Sequence, residues 1–427
     1  MDVLPDTLFI KNRSKLKDLL LPSSAVVISS GWMMLRNGDQ RCPFRQSSDL
    51  YYLTGIRQEE CTLVIYPASD PNDFREILYI PEGDKKSLLY EGPRITAEEV
   101  TRISGIEDVR VSPTMNNDLR AILSDCRYIY FGTPDRWERE GIPSNEMEMR
   151  RELSANIAPL EEHMLAPLMK KIRMYKETEE LKMMKRAIST TDDAFIRVLQ
   201  ELRPGMYEYQ VAAHISFEFF FQGVRDHAFD PIVASGSNAL ILHYTENGSI
   251  CADGALLLMD FGADWQYYAA DVSRTIPVNG RYSRRQRELY EANLRVMERA
   301  MQLMVPGKLL GEFNREVGSL WEEEHVKLGL YSMRDLKREP EDHPLWKRYY
   351  WHGTSHSIGI DVHDPFDHAT AFGPGMVLSC EPGIYIREEG VGIRLENDIL
   401  ISGEGAVNLS GNIPIDPDAI EVIMNKS

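Results

Sequence analysis

The sequence predicts a mixed α/β (α+β) protein of two domains: a small N-terminal α/β domain over residues 1–172 and a larger C-terminal domain over 173–427 with an internal pseudo-two-fold repeat. Three observations predict it. The chain has 427 residues, more than one hydrophobic core ordinarily serves. Between about Ser24 and Gly132, short β-rich runs alternate with polar, helix-compatible segments. Beyond residue 173 one order of elements occurs twice: amphipathic helix, Pro-Gly stop, second helix, extended segments, and a hairpin carrying two carboxylates.

In the first domain the runs AVVIS, CTLVIYP, EILYIP and RYIYFG read as strands. A polar stretch from Arg136 to Met149 loosens the pattern, and Lys170–Lys176 reads as the crossing, with the boundary near Ile172. The second domain opens with Leu181, Met184, Ile188, Thr191, Phe195, Val198 and Leu202 at three- and four-residue steps, the spacing of one helix face, until Pro204-Gly205 stops it. A second helix spans about Tyr207–Gln222 and closes at Gly223. Extended segments with His243 lead to a hairpin over Leu256–Pro277. The order then restarts: Ser283 caps a helix with Leu289, Val296, Ala300 and Leu303 inward, Pro306-Gly307 stops it, and another helix covers about Leu310–Leu328. The two Pro-Gly stops are 102 residues apart and Asp260 and Glu381 are 121 apart. The difference matches a polar, helix-poor insert over about 331–350.

With 43% hydrophobic and 27% charged residues the composition is that of an ordinary globular protein. A net charge of −18 repels nucleic acid and anionic membrane at range, so neither is expected as a partner. The N-terminus MDVLPDTLFIKNRSKLKDLL lacks the uninterrupted apolar core of a signal peptide, and no stretch has transmembrane length, so a cytoplasmic location is expected. The 5 cysteines are scattered with no CxxC pair and are expected to be reduced, Cys380 as a buried, inert thiol. No GxSxG, GxxxxGK[ST], HExxH or GxGxxG motif supports a serine hydrolase, nucleotide-driven enzyme or dehydrogenase.

The two hairpins carry the chemistry. Asp260 and Asp271 lie symmetrically about a turn centred between Trp265 and Gln266, which would make them direct cross-strand partners. Like charges that close persist only if one is protonated or a cation sits between them; the other reading places one aspartate in the ladder and one in a loop. Glu381 and Glu396 are symmetric about Glu388-Glu389, with Tyr385 on the face of Glu381 and Arg394 on that of Glu396 by strand parity, unless Pro382 adds a bulge. Between the hairpins, His352, His356 and His363 fall within twelve positions of a chain with 10 histidines. Four carboxylates and a histidine are an oxygen-rich ligand set for two divalent cations, suited to manganese, cobalt or zinc. Such a pair can acidify a bridging water and polarise a carbonyl, which is a hydrolase site in outline.

CPFRQSSDLYYLTGI, LHYTEN, MDFGADWQYYAADVSRTIPVNG, HGTSHSIGIDVHD, EPGIYI and GIRLEND, in this order, resemble the signatures of the pita-bread (creatinase/aminopeptidase-like) metallopeptidases, and among them the aminopeptidase P group. The resemblance spans nearly the whole chain. It implies that Asp260, Asp271, His356, Glu381 and Glu396 bind two metal ions, most often manganese, and that Glu381 is also the general base. It implies that His243 and His363 steady the substrate carbonyl and tetrahedral intermediate, and that His352, Tyr385 and Arg394 receive the proline ring and the peptide residues beyond it. Asp39 aligns with an aspartate that can pair with the arginine matching Arg394. Tyr90 stands where many relatives have a tryptophan near the entrance. The implied substrates are peptides with proline second, and the implied assembly is a homodimer or tetramer.

The nearest rival is an Xaa-Pro dipeptidase with the same site. A methionine aminopeptidase normally lacks so large an N-terminal domain, a creatinase-like hydrolase uses the fold without metals, and peptide-binding pita-bread modules have lost their ligands, whereas all five are present here.

Overall fold

The computed structural model describes residues 3–31, 34–83, 85–132, 150–151, 160–338 and 343–426; the stretch from Arg136 to Met149 lies outside the described residues. The chain divides into two compact units, Met1–Ile172 and Arg173–Ser427.

The first unit is built on a six-stranded sheet. Its strands are β1 (Ser24–Ser29), β4 (Thr62–Pro67), β5 (Phe74–Ile80), β6 (Val109–Val111), β7 (Tyr128–Phe131) and β8 (Glu161–Met164), in the order β6-β5-β4-β1-β7-β8. The four runs read as strands are β1, β4, β5 and β7. β1 lies between neighbours on both sides and is buried at every position, so its central run, residues 25–28, is apolar throughout rather than alternating. β6 and β8 are short edge strands whose mixed polarity gave no strand signal. A separate exposed hairpin joins β2 (Leu35–Asn37) and β3 (Gln40–Arg41). The helix Ser48–Thr54 ends at Gly55 in the left-handed region, with the Phe9 ring 2.4 Å from where a Cβ would stand, so only glycine closes that turn.

In the second unit the four long helices run Thr178–Glu201, Glu208–Phe221, Arg284–Leu303 and Leu310–Lys327. Met184, Ile188, Thr191, Phe195 and Val198 are buried along the first, as their spacing requires, and Leu181 is half-buried. Ser283 accepts from the Gln286 amide and caps the third helix. The repeat extends to backbone detail. Gly205 and Gly307 both take φ near +90°, one donating to the Cys251 carbonyl and the other to that of Phe372. Each half then forms an antiparallel sheet: β9 (Ile232–Ser235), β10 (Leu256–Phe261) and β13 (Val272–Pro277) in the order β13-β10-β9, and β14 (Val377–Cys380), β17 (Asn397–Ser402) and β18 (Gly405–Asn408) in the order β14-β17-β18. The insert expected to be irregular holds two short helical turns, Met333–Leu336 and Leu345–Arg348.

Each hairpin continues from its sheet into a two-stranded ladder, β11 (Asp264–Trp265) with β12 (Tyr268–Ala269), and β15 (Gly383–Ile386) with β16 (Val391–Arg394). In the first hairpin the register differs from the expected one. Asp260 pairs with Ser273, not Asp271, because the turn is Gln266-Tyr267, both in the left-handed region at φ 56° and 68°. The Tyr267 amide donates to Asp264 Oδ1 at 2.7 Å, which fixes the turn one position later than expected. Asp271 sits two positions from Ser273, so strand parity keeps it on the face of Asp260. The ladder is pinched there: the Ala270 carbonyl oxygen lies 1.7 Å from where a Gly262 Cβ would stand. In the second hairpin the expected register holds through both ladders, from Val377–Leu400 to Ile386–Val391, so Pro382 introduces no shift. Glu381 and Glu396 fall at the junction of the two ladders.

Candidate active site

The second unit contains a cavity of about 430 Å³ whose lining includes Asp260, Asp271, Glu381, Glu396, His243, His352, His356, His363 and Arg394. Asp271, Glu381 and Glu396 arrive from the hairpin junctions, between one ladder and the next, whereas Asp260 lies within β10, paired with Ser273 on one side and Ile232 on the other. Asp271, His356 and Glu396 place their ligand atoms within 4.8 Å of one another, a grouping that could hold a metal ion. His356 Nε2 is 3.3 Å from Asp271 Oδ2, 3.6 Å from Glu381 Oε1 and 3.9 Å from Glu396 Oε1.

Four carboxylates in one cavity repel. Burial, with the charge of Asp260 beside it, pushes Asp271 up to about 7. Burial followed by the charges of Asp271 and Glu381 holds Glu396 well above the usual carboxylate range, and burial also raises Glu381. Burial alone would lower His356, but the hydrogen bond it donates to Asp271 and the charge of Glu381 lift it to about 9. Asp260 Oδ1, Asp271 Oδ1 and Glu396 Oε1 are buried without a hydrogen-bond partner among the described residues. Buried, unpaired carboxyl oxygens converging with an imidazole fit hard or borderline divalent cations, whose charge would draw off the protons.

Arg394 is the guanidinium of the cluster. It donates to Asp260 Oδ2 at 2.6 Å, to Ser273 Oγ at 2.8 Å and to Tyr385 Oη at 3.3 Å. Ser273 in turn donates to Glu396 Oε2 at 2.8 Å. His352 Nδ1 faces the Gly353 carbonyl at 2.8 Å, which can only accept, so Nε2 accepts from Tyr385 Oη at 2.7 Å. Burial and the charge of Arg394 lower His352 to about 3, keeping this ring neutral. His363 stands edge-on to His356 with ring centres 4.4 Å apart. His243 is exposed at the cavity rim.

The structure thus brings ten of the twelve candidate residues around one site. Asp39 and Tyr90 belong to the first unit; both are exposed, Asp39 accepting from the Gln40 side chain at 3.0 Å and Tyr90 ending the helix Lys85–Tyr90. Sequence reading missed the supporting groups. Ser273 links Arg394 to Glu396. Arg274 lies fully buried behind the site, donating to the carbonyls of Ser273, Glu396, Ile413 and Pro414 and to Asn397 Oδ1. Asp398 accepts from the Asp271 amide at 3.3 Å, and burial raises it well above its ordinary value. A charged residue inside an apolar strand was the available signal for Arg274. Cys380 is buried, and burial pushes its thiol far up, so it takes no thiolate chemistry.

Comparison with known proteins agrees with this geometry. The sequence description of metallopeptidase family M24 matches residues 182–403, and that of the aminopeptidase P N-terminal domain matches residues 9–130. The Xaa-Pro aminopeptidase of Escherichia coli is 32% identical, over 97% of both chains, and that of Haemophilus influenzae is 30% identical, over 100% of this chain and 99% of the other. A solved structure of a putative aminopeptidase P from Bacillus anthracis superposes with a TM-score of 0.92 at 29% identity, covering 99% of each chain. That of E. coli aminopeptidase P with the inhibitor Pro-Leu superposes with a TM-score of 0.90 at 31% identity, covering 100% of this chain and 99% of the other. Among the described residues no helix is long and apolar enough to cross a membrane. A mixed α/β chain with an N-terminal domain and a pita-bread domain that gathers these carboxylates and histidines belongs to metallopeptidase family M24.

Proposed function

We propose that this chain is an Xaa-Pro aminopeptidase, releasing the first residue of peptides that carry proline second. Residues 1–172 would form the aminopeptidase P type N-terminal domain and 173–427 the catalytic domain. The observation that carries the reading is the set of unpartnered buried oxygens on Asp260, Asp271 and Glu396 around His356, in a chain collinear with relatives of that name. Together with Glu381 these residues would hold two divalent ions, manganese in the first instance, which when bound acidify a water and polarise the scissile carbonyl.

The side chains supply the rest. Glu381, raised by burial and held by Ser379 Oγ at 3.3 Å, is suited to take a proton from the attacking water and deliver it to the leaving proline nitrogen. His363 and His243 line the same cavity, where they can donate to an oxygen that gains charge. The neutral His352 and Tyr385, locked to each other and to Arg394, offer a rigid wall to the proline ring. Asp39 pairing with Arg394, and Tyr90 at the substrate entrance of an oligomer, extend the proposal, as does a cytoplasmic location.

The competing Xaa-Pro dipeptidase would share every one of these residues. Hydrolysis of Ala-Pro-Ala and of Ala-Pro with added manganese separates them. Release of alanine from the tripeptide supports the aminopeptidase, and cleavage of Ala-Pro with the tripeptide left intact assigns the dipeptidase.

A further inference from the structure

We infer that Glu208 is a positioning residue for His243, holding the loop that carries this histidine against the rim of the active site. The inference rests on the reading of His243 as a group that meets the substrate.

Glu208 is the first residue of the helix Glu208–Phe221, and its side chain is completely buried. Its carboxylate has no ion-pair partner among the described residues and is satisfied by hydrogen bonds alone. Oε1 accepts from Ser235 N at 2.7 Å, Ser235 Oγ at 2.7 Å and Asn238 Nδ2 at 2.9 Å. Oε2 accepts from Tyr244 Oη at 2.8 Å and Ser249 N at 2.8 Å. All the donors come from residues 235–249, the segment that bears His243. These bonds outweigh burial and keep Glu208 below the usual carboxylate range.

His243 has no comparable anchor. Its side chain is exposed, and no hydrogen bond holds its ring among the described residues. The next residue, Tyr244, is buried, so the ring inherits its place from a tyrosine whose hydroxyl ends on Glu208. The far limb of the loop is pinned separately, Asn247 accepting from Val233 N and donating to the Pro231 carbonyl, both at 2.9 Å.

The internal repeat shows that the fold itself does not require this carboxylate. At the corresponding start of the second helix in the other half, 102 positions on, stands Leu310, an apolar residue. The acid is therefore particular to the half that has a His243 loop to hold. An amide cannot replace it: however Gln is turned, its NH₂ faces the backbone N–H of either Ser235 or Ser249.

The test is a double-mutant cycle on Ala-Pro-Ala with manganese-loaded protein, comparing wild type, Glu208→Gln, His243→Ala and the double variant. Displacement of the ring lowers kcat of Glu208→Gln by about ten- to a hundredfold at unchanged manganese content, and the same substitution costs nothing further in the His243→Ala background. Tyr244→Phe, which removes one bond from the set, repeats the cycle with a smaller loss should Glu208→Gln fail to fold. Equal loss in both backgrounds, or full kcat in both Glu208→Gln and Tyr244→Phe, overturns the inference. Full activity of His243→Ala would instead overturn the reading of His243, and the inference with it.

Discussion

Two segments bring histidines to the same cavity, and they are held by opposite means. The segment 235–249, with His243, hangs on the hydrogen bonds of one buried carboxylate that has no cation beside it among the described residues. The segment 352–364, with His352, His356 and His363, is fixed by charge. Arg173 Nη2 reaches Asp361 at 2.7 Å and Asp364 at 2.6 Å, while Lys176 Nζ reaches Asp364 at 3.2 Å and Ser357 Oγ at 3.4 Å. The difference reflects the forces each segment must withstand. The second carries His356 into a cluster of four carboxylates and itself bears Asp361 and the buried Asp364, whose charges the ion pairs with Arg173 and Lys176 compensate. The first carries an exposed ring to the rim, where directional hydrogen bonds suffice to aim it.

Both segments line the cavity that holds the four carboxylates, and the largest effect lies at the carboxylates. Glu381→Gln should lower turnover of Ala-Pro-Ala by about a thousandfold or more while leaving both segments and the far-ultraviolet circular dichroism unchanged, because it would remove the proposed proton shuttle and one proposed anionic ligand. Wild-type turnover in folded, metal-loaded protein would contradict this.

The contrast in anchoring predicts unequal losses of stability. Asp364→Asn takes from the buried Arg173 and Lys176 the carboxylate they share, leaving Arg173 its pair with the partly exposed Asp361, and should cost about 3–5 kcal/mol in denaturant unfolding. Glu208→Gln leaves one amide N–H without an acceptor and should cost about 1–3 kcal/mol. Equal losses would erase the distinction between the two anchors. Asp364 is buried, which alone would raise it, but Arg173 and Lys176 hold it below its ordinary value. Its contribution is therefore present above about pH 4 and is lost as the pH falls further.

The metal separates the anchors from the ligands they present. Manganese at about a hundred times its dissociation constant should stabilise wild type by about 2.7 kcal/mol. Asp271→Ala should lose most of that response, whereas Asp364→Asn, though less stable at the start, should keep it. A melting curve of Asp271→Ala that rises with manganese as wild type does would remove Asp271 from the ligand set.

A smaller effect is the pH dependence of chelated protein. Asp271 at about 7 and His356 at about 9 both lie above their ordinary values, so the folded state binds more protons than the unfolded one between about pH 4 and 9. The contribution of both groups is present at low pH and falls as pH rises through that window, and manganese should flatten the slope. A Tm of chelated protein that rises steadily over the same range would show that the carboxylates do not repel as described.

What the sequence made legible depended on how local the determinant was. The Glu381–Glu396 register could be counted because the turn and both ladders keep one alternation through Pro382. The Asp260–Asp271 register could not, since Gln266 and Tyr267 adopt a left-handed turn that neither residue type announces. The parity argument still put both aspartates on one face. The first and third helices followed from apolar spacing and their Pro-Gly stops, and the second from its closing Gly223. The supports stayed hidden for another reason: Ser273 meets Glu396, Arg274 meets Asn397, and Arg173 meets Asp364 across more than a hundred residues, and no spacing rule links such pairs. Glu208 was hidden because an acid at a helix start looks like ordinary dipole compensation until its partners are seen.

The most direct measurement is hydrolysis of Ala-Pro-Ala by metal-stripped protein as manganese is added stepwise, with Ala-Ala-Ala as the control peptide. Activity that is absent at first, rises to a plateau near about two equivalents of metal, and spares the control is the expected result. Bound manganese without alanine release from Ala-Pro-Ala, or equal cleavage of Ala-Ala-Ala, would contradict the proposed reaction.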